Sequence, residues 1–201
     1  GDKIAVLYAS GNITEGNGFD GIQSQTYVDA IRKVAVNDKI KALVIRVNSP
    51  GGSANASEQI LYELMELKTK MPIVVSFGDV AASGGYYIAL ASDKIYAQPN
   101  TITGSIGVFG MIPNAQKLFN NVGLDFDEVK TNANAGQLKS ITTPLSSTAE
   151  NTMKKSIVLI YNKFVNHVAK NRKMTFEQVN KIGEGRVWSG TRAKKIGLVD
   201  E

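Results

Sequence analysis

Short apolar runs alternate with segments of helical periodicity over the first half of this chain, and this alternation limits the fold. Residues 4–9, 42–47 and 72–77 have the length and apolar composition of buried strands. Between them, residues 23–36 and 55–68 place apolar side chains at helical spacing. Strands that alternate with helices favour a largely parallel sheet covered by helices. The sequence therefore predicts an α/β fold.

The second half is predicted to contain shorter elements. Strands are expected at residues 95–97 and 126–129, with a tight loop at 101–107 and a short helix at 113–121. Residues 131–144 are polar and lack periodicity, which indicates a surface segment or flap.

The end of the chain is predicted to be mainly helical. Ser147-Thr-Ala-Glu150 matches a capping box and opens a long amphipathic helix. A shorter helix starts near Thr175, and Gly197 is suited to end the last one. We therefore divide the chain into a core, residues 1–145, and a C-terminal helical extension, residues 146–201, that packs on the core or on a partner.

Ser83 lies where the third strand is expected to lead into a helix at residues 82–91. The first turn of a helix carries unpaired backbone N–H groups and the positive end of the dipole. Gly84 and Gly85 leave room for a substrate backbone. A serine nucleophile suits this position, and a serine that only caps the helix suits it equally well.

A second glycine loop, Asn48-Ser-Pro-Gly-Gly52, follows the preceding strand. The N–H groups of Gly51 and Gly52 could point at a developing oxyanion. The alternative is a plain strand-to-helix turn, for which this composition is also suitable. In a parallel sheet both loops lie at the carboxyl edge, where the ligands of such sheets bind.

Composition excludes several classes of site. The chain has no cysteine and one histidine, which excludes a thiolate nucleophile and a cysteine- or histidine-rich metal site. We predict no metal and no cofactor. The basic residues that give the net charge of +5 are scattered, so nucleic acid is not an expected partner.

A serine nucleophile needs a base, and the sequence offers two kinds. His167 lies at the edge of an apolar helical stripe and is predicted to be structural. Lysine is the other base, provided that burial leaves its amine neutral. Lys139 lies in the polar segment 131–144 that could fold over Ser83, although an exposed loop lysine fits the same pattern.

Four spaced motifs resemble the signal peptide peptidase A family, also called protease IV. They are Asn48-Ser-Pro-Gly-Gly-Ser53, Ala81-Ala-Ser-Gly-Gly-Tyr86, Thr103-Gly-Ser-Ile-Gly107 and the ending from Trp188-Ser-Gly-Thr to Gly197-Leu-Val-Asp200. Two of them are also similar to the proteolytic subunit of Clp protease, a relative in the crotonase-like superfamily. The resemblance implies a crotonase-like ββα spiral.

The resemblance also implies a function and a site. The family consists of membrane-associated serine endopeptidases that degrade released signal peptides at the bacterial cell membrane, with the catalytic domain outside the cytoplasm and a Ser/Lys dyad. It implies that Ser83 is the nucleophile and that Gly51, Gly52 and Gly84 form the oxyanion hole. The expected walls of the substrate cleft are Ser49, Pro50 and Ser105.

The source of the lysine stays open. Short family members carry it after the serine, and Gly136-Gln-Leu-Lys139 resembles their pattern except that Leu138 replaces a tyrosine. Long members fuse two homologous halves, and the first half supplies the lysine. This chain looks like the second half, so a homologous N-terminal half and a homo-oligomer are expected partners, with an exposed apolar patch where the other half packs. The alternative function is a non-catalytic assembly or ligand-binding module on the same scaffold; acyl-CoA chemistry is a weaker third.

Overall fold

The computed structural model describes residues 1–132, 135–136 and 140–201. The strands are β1 (Lys3–Ser10), β2 (Ile13–Thr14), β3 (Ile22–Gln23), β4 (Ile40–Ser49), β5 (Ile73–Ala82), β6 (Lys94–Tyr96), β7 (Ile102–Gly104) and β8 (Val187–Ser189). The α-helices are α1 (Ser24–Ala35), α2 (Ala54–Lys68), α3 (Gly84–Ile88), α4 (Gln116–Asn121), α5 (Ser147–Arg172), α6 (Phe176–Ile182) and α7 (Gly190–Lys195). A 3₁₀ turn, Ala89–Ala91, continues α3.

Six strands form one mainly parallel sheet in the order β1-β4-β5-β7-β8, with β6 also paired to β5. Only the β7–β8 pair is antiparallel among the described strands of this sheet. The predicted α/β class with a largely parallel sheet is therefore confirmed. Because β4 and β5 are parallel neighbours, the two glycine loops that follow them meet at one edge.

The core lies between one face of the sheet and helix α2. The sheet contributes alternate buried residues of β4 and β5, and α2 contributes a helical stripe: Leu43, Ile45, Val47, Ile73, Val75, Phe77, Ile60, Leu61, Leu64 and Leu67. On β1, the alternate side chains of Ile4, Val6 and Tyr8 are instead exposed. An apolar strip at the outer edge of the sheet is thus open to solvent.

Strand β5 is longer than predicted, since it continues to Ala82 instead of ending near residue 77. Val47 pairs with Phe77 but Ser49 pairs with Ala81, so β5 advances four residues while β4 advances two. The Asn48 side chain accepts a hydrogen bond from the Val80 N–H at 3.1 Å within this irregularity. The extension carries the chain directly into Ser83.

Other predicted bounds are also corrected. Residues 102–104, predicted as part of a loop, form β7, and residues 126–129 form no strand in the described structure. The long helix is capped by Ser146, whose Oγ accepts the Ala149 N–H at 3.1 Å, one residue before the predicted cap.

The chain divides into two compact units, residues 1–108 with 161–201, and residues 109–160. Within the second unit, the rings of Phe119 and Phe126 meet edge to face at 4.8 Å. The division into residues 1–145 and 146–201 stays a prediction. No helix in the described ranges is both long and apolar enough to span a membrane.

Candidate active site

Ser83 joins β5 to α3 with a backbone that serine rarely adopts, φ +52° and ψ −121°. Two hydrogen bonds hold it there: its N–H donates to the Gly104 carbonyl at 2.9 Å, and its carbonyl accepts from the Tyr87 N–H at 2.8 Å. The half-buried side chain makes no capping hydrogen bond to α3. Among the described residues the hydroxyl has no hydrogen-bond partner, and it lies at the start of a helix.

The loop after β4 lies against Ser83 at backbone distance. A Cβ on Gly51 would lie 2.6 Å from the Gly84 nitrogen and 2.9 Å from the Ser83 Cβ. A Cβ on Gly84 would lie 2.5 Å from the Ser57 Oγ on α2. Only glycine permits this approach. The two loops therefore lie in contact, as the sequence predicts.

Ser49 supports the glycine loop from inside. It is fully buried, and its Oγ accepts the Gly51 N–H at 3.1 Å. Its hydroxyl therefore does not reach solvent, whereas the neighbouring Pro50 is exposed. The Gly51 N–H is already engaged, which leaves Gly52 as the better donor of the two.

Gly52 is held by strand β2. The Ile13 N–H donates to the Gly51 carbonyl at 2.9 Å, and the Ser53 N–H donates to the Ile13 carbonyl at 2.8 Å. In this parallel bridge the N–H of Gly52 itself points away from β2, and it donates to no described residue. Gly84 is the first residue of α3, where an N–H has no partner within the helix. The backbone N–H groups of Gly52 and Gly84 thus donate to no described residue, which suits them to bind an anion.

The third motif borders the same loop through β7. Gly104 accepts the Ser83 N–H, and the next residue, Ser105, is half-buried with φ +48°. The Trp188 ring packs against Gly104, because β8 pairs with β7. The structure therefore brings the motifs around Gly51, Ser83, Ser105 and Trp188 together.

His167 lies on α5 and has no hydrogen bond to the serine loop. Its ring meets Tyr87 edge to face at 5.5 Å, and its buried Nε2 has no hydrogen-bond partner among the described residues. Burial lowers the pKa of His167, opposed by the Glu58 carboxylate and assisted by Lys163 and Lys170. The histidine is therefore neutral and packed at ordinary pH.

We expect His167→Gln to alter the pH dependence of stability and to leave that of catalysis unchanged. The unfolded chain takes up a proton on His167 near pH 6.5, but the folded protein does so only at a lower pH. Stability therefore falls as the pH drops through about 6.5 and levels off below the folded-state pKa. Urea unfolding between about pH 5 and 8 should show that the free energy of unfolding falls less steeply with decreasing pH in the variant than in the wild type. A change in hydrolysis of more than about tenfold would instead contradict a purely structural role for His167.

Lys139, the predicted base, lies outside the described residues, as do residues 133–134 and 137–138. Two residues that shape the site, Asn48 and Gly104, lie in the predicted motifs, but no role was predicted for either. Both act through long-range hydrogen bonds to β5 or Ser83. Neither has a local pattern that indicates such a role.

Comparisons with known proteins agree with this geometry. Residues 65–201 match the family model described as Peptidase family S49, and residues 2–104 match the one described as Clp protease. The chain is 44% identical to Protease 4 of Salmonella typhi over 100% of its own length and 32% of that protein. It is 35% identical to the putative signal peptide peptidase SppA of Enterococcus faecium, covering 99% of this chain and 59% of the relative. A putative protease of Synechocystis is 34% identical, with coverages of 98% and 69%. The chain thus spans about a third of the length of Protease 4.

Proposed function

The chain belongs to peptidase family S49, and we propose that it is a serine endopeptidase whose nucleophile is Ser83. The observation that carries the proposal is the rare backbone conformation of Ser83 together with a hydroxyl that bonds to no described residue. Non-glycine residues in such conformations cluster at active sites, because the surrounding structure must hold them there. A serine that only caps the helix would instead form a side-chain hydrogen bond to α3, which Ser83 does not.

The chemistry follows from the donors around the hydroxyl. The Ser83 Oγ attacks the peptide carbonyl carbon, and its proton passes to a neutral amine. The oxyanion that forms accepts hydrogen bonds from the Gly52 and Gly84 N–H groups. Collapse breaks the C–N bond as the ammonium returns the proton to the leaving nitrogen. Water then hydrolyses the acyl-serine by the same route.

The base in this proposal is a lysine, either Lys139 or one from a homologous half. A solvated lysine has a pKa near 10.4 and is protonated at neutral pH, so the amine must be buried to act. We favour the second source, because the chain covers only 32% of Protease 4. The exposed apolar strip on β1, formed by Ile4, Val6 and Tyr8, supports a packing partner of this kind. Homo-oligomers are part of the same proposal.

The substrates we propose are released signal peptides, and the location is the bacterial membrane with the catalytic domain on the extracytoplasmic side. The name of the Enterococcus faecium relative, a putative signal peptide peptidase, supports this assignment. The exposed Pro50 and the half-buried Ser105 lie on loops that border Ser83 and would line the cleft for the extended peptide.

A fluorophosphonate probe tests the nucleophile in the protein assembled with its proposed homologous half, because it forms an Oγ–P bond only with an activated serine and expels fluoride. We expect peptide mapping to find the label on Ser83. An unlabelled Ser83 after long exposure would contradict the proposal and favour a non-catalytic module.

The source of the base is tested by Lys139→Ala. If the base comes from another half, we expect this variant to label at the wild-type rate within about twofold, since the lysine removed is not the base. Lys130→Ala is the matched control, since Lys130 lies in the same unit and pairs with Glu128. Peptidase activity that only Lys139→Ala abolishes would instead establish a dyad within this chain.

A further inference from the structure

The helix that follows Ser83 cannot hold its own position. Helix α3 has five residues and starts with Gly84 and Gly85, so its intrinsic helical stability is negligible. It is completely buried. Its orientation must therefore come from tertiary contacts, while Ser83 is also held by its backbone hydrogen bond to Gly104.

Two consecutive tyrosines anchor α3 to different parts of the molecule. The Tyr86 hydroxyl donates to the carbonyl of Leu198, near the chain end, at 2.7 Å. The Tyr87 hydroxyl donates to the Glu58 carboxylate on α2. The Tyr86 hydrogen bond joins two neutral groups, whereas the Tyr87 hydrogen bond is accepted by a charged carboxylate.

Glu58 connects three helices. Its carboxylate accepts a hydrogen bond from the Tyr87 hydroxyl on α3. It also forms an ion pair with the ammonium group of Lys163 on α5. The Tyr87 ring is itself enclosed by α5, with its centre 4.8 Å from that of Phe164 and 5.5 Å from that of His167. Among the described residues, this is where α2, α3 and α5 share one polar group.

The protonation states make this a strong hydrogen bond. Burial and the nearby carboxylate raise the pKa of Tyr87, so its hydroxyl remains a donor. Burial acts to raise the pKa of Glu58, but hydrogen bonds from Lys163 and Tyr87 bring it below its usual value. A phenol that donates to an ionised carboxylate forms a short, charge-assisted bond.

The anchor reaches Ser83 through one turn of backbone. The Tyr87 N–H donates to the Ser83 carbonyl at 2.8 Å, so a shift of Tyr87 moves the serine. Next to Glu58 on α2, the Ser57 hydroxyl lies beside Gly84. Helix α2 therefore holds both ends of the segment from Ser83 to Tyr87.

We propose that Glu58 is a positioning residue for the nucleophile: through Tyr87 it fixes the rotation of α3 and thereby aims the Ser83 hydroxyl. This inference rests on the proposed function, because it concerns the same serine. A displacement of about 1 Å at a reacting group can cost about a hundredfold in rate. Glu58 touches no reacting atom and acts only through Tyr87.

The first measurement is the rate of fluorophosphonate labelling in Glu58→Ala, Glu58→Gln and Tyr87→Phe. We expect the maximal labelling rate of Glu58→Ala to fall about ten- to a hundredfold, with the half-saturating probe concentration unchanged within about twofold. Glu58→Gln should recover most of the rate, because an amide oxygen still accepts from Tyr87. The matched control is Glu63→Gln, which removes the ion pair between α2 and Arg32 on α1. Equal rates in Glu58→Ala and Glu63→Gln would overturn the proposal.

The second measurement is amide hydrogen exchange of residues 84–91, which does not depend on catalysis. We expect about tenfold faster exchange in Glu58→Ala and Tyr87→Phe, and no change in Glu63→Gln. If exchange is unchanged in Glu58→Ala and Tyr87→Phe, the proposal that Glu58 anchors α3 is refuted, even if Ser83 reacts with the probe. If wild-type Ser83 does not react, the proposed function fails, while faster exchange still establishes the anchor. Should Glu58→Ala not fold, Tyr87→Phe keeps the ring packing and gives the same test.

Discussion

Replacing Ser83 by alanine is expected to reduce fluorophosphonate labelling and peptide hydrolysis to background, because the acyl intermediate forms on the Ser83 hydroxyl. The free energy of unfolding should change by no more than about 1 kcal/mol, which is the contribution of a typical helix cap. The Ser83 side chain does not even make that capping bond. Labelling, hydrolysis and urea unfolding of the two proteins measure the three quantities.

The matched control for Ser83→Ala is Ser156→Ala, which removes a hydroxyl bonded to the Thr152 carbonyl of α5. It should retain wild-type labelling. An active Ser83→Ala variant would refute the assignment of the nucleophile, and a variant that unfolds would show that the serine has a structural role.

Gly52→Ala is expected to have the second large effect. A Cβ there would overlap the carbonyl oxygen of Ile13, and the backbone has φ +153°. Relief of this overlap requires strand β2 to move away from the loop, which turns the Gly52 N–H out of the site. We expect labelling to slow about a hundredfold or more, as for the loss of an oxyanion donor. Stability should fall by about 1–3 kcal/mol, which is typical of overpacking.

The control variant Gly123→Ala separates the effect of the steric overlap from the effect of the unfavourable backbone conformation. Gly123 has φ +73°, but a Cβ there would meet no atom of the described residues within 4 Å. This control should lose some stability and keep wild-type labelling. If Gly52→Ala labels as fast as Gly123→Ala, then Gly52 does not form the oxyanion hole. Exchange of the Ile13 amide reports directly whether β2 has moved.

The main architecture was predictable because its signals are local. The strands β1, β4 and β5 each contain a short, mainly apolar run, and α2 has a clear helical stripe. The meeting of Gly51 and Ser83 then followed from the rule that parallel strands end at one edge. This rule applies to Gly51 and Ser83 although they lie far apart in the sequence.

The parts that could not be predicted depend on distant partners. Gly78 and Asp79 are poor strand residues, yet β5 continues through them because Asn48 accepts the Val80 N–H. Strands β7 and β8 have three residues each, too few to show a pattern. The contact of Glu58 with Tyr87 joins two helices that, taken singly, indicate no such pair.

The left-handed backbone of Ser83 also bears on how the chain would evolve. A conformation of this kind costs a non-glycine residue about 1–3 kcal/mol, a large fraction of the net stability of a domain. Glycine adopts it without that cost. A descendant that served only as a scaffold would therefore gain stability by mutating this codon to glycine. The serine keeps its hydroxyl at a cost in stability, which is the trade-off expected of a residue retained for activity.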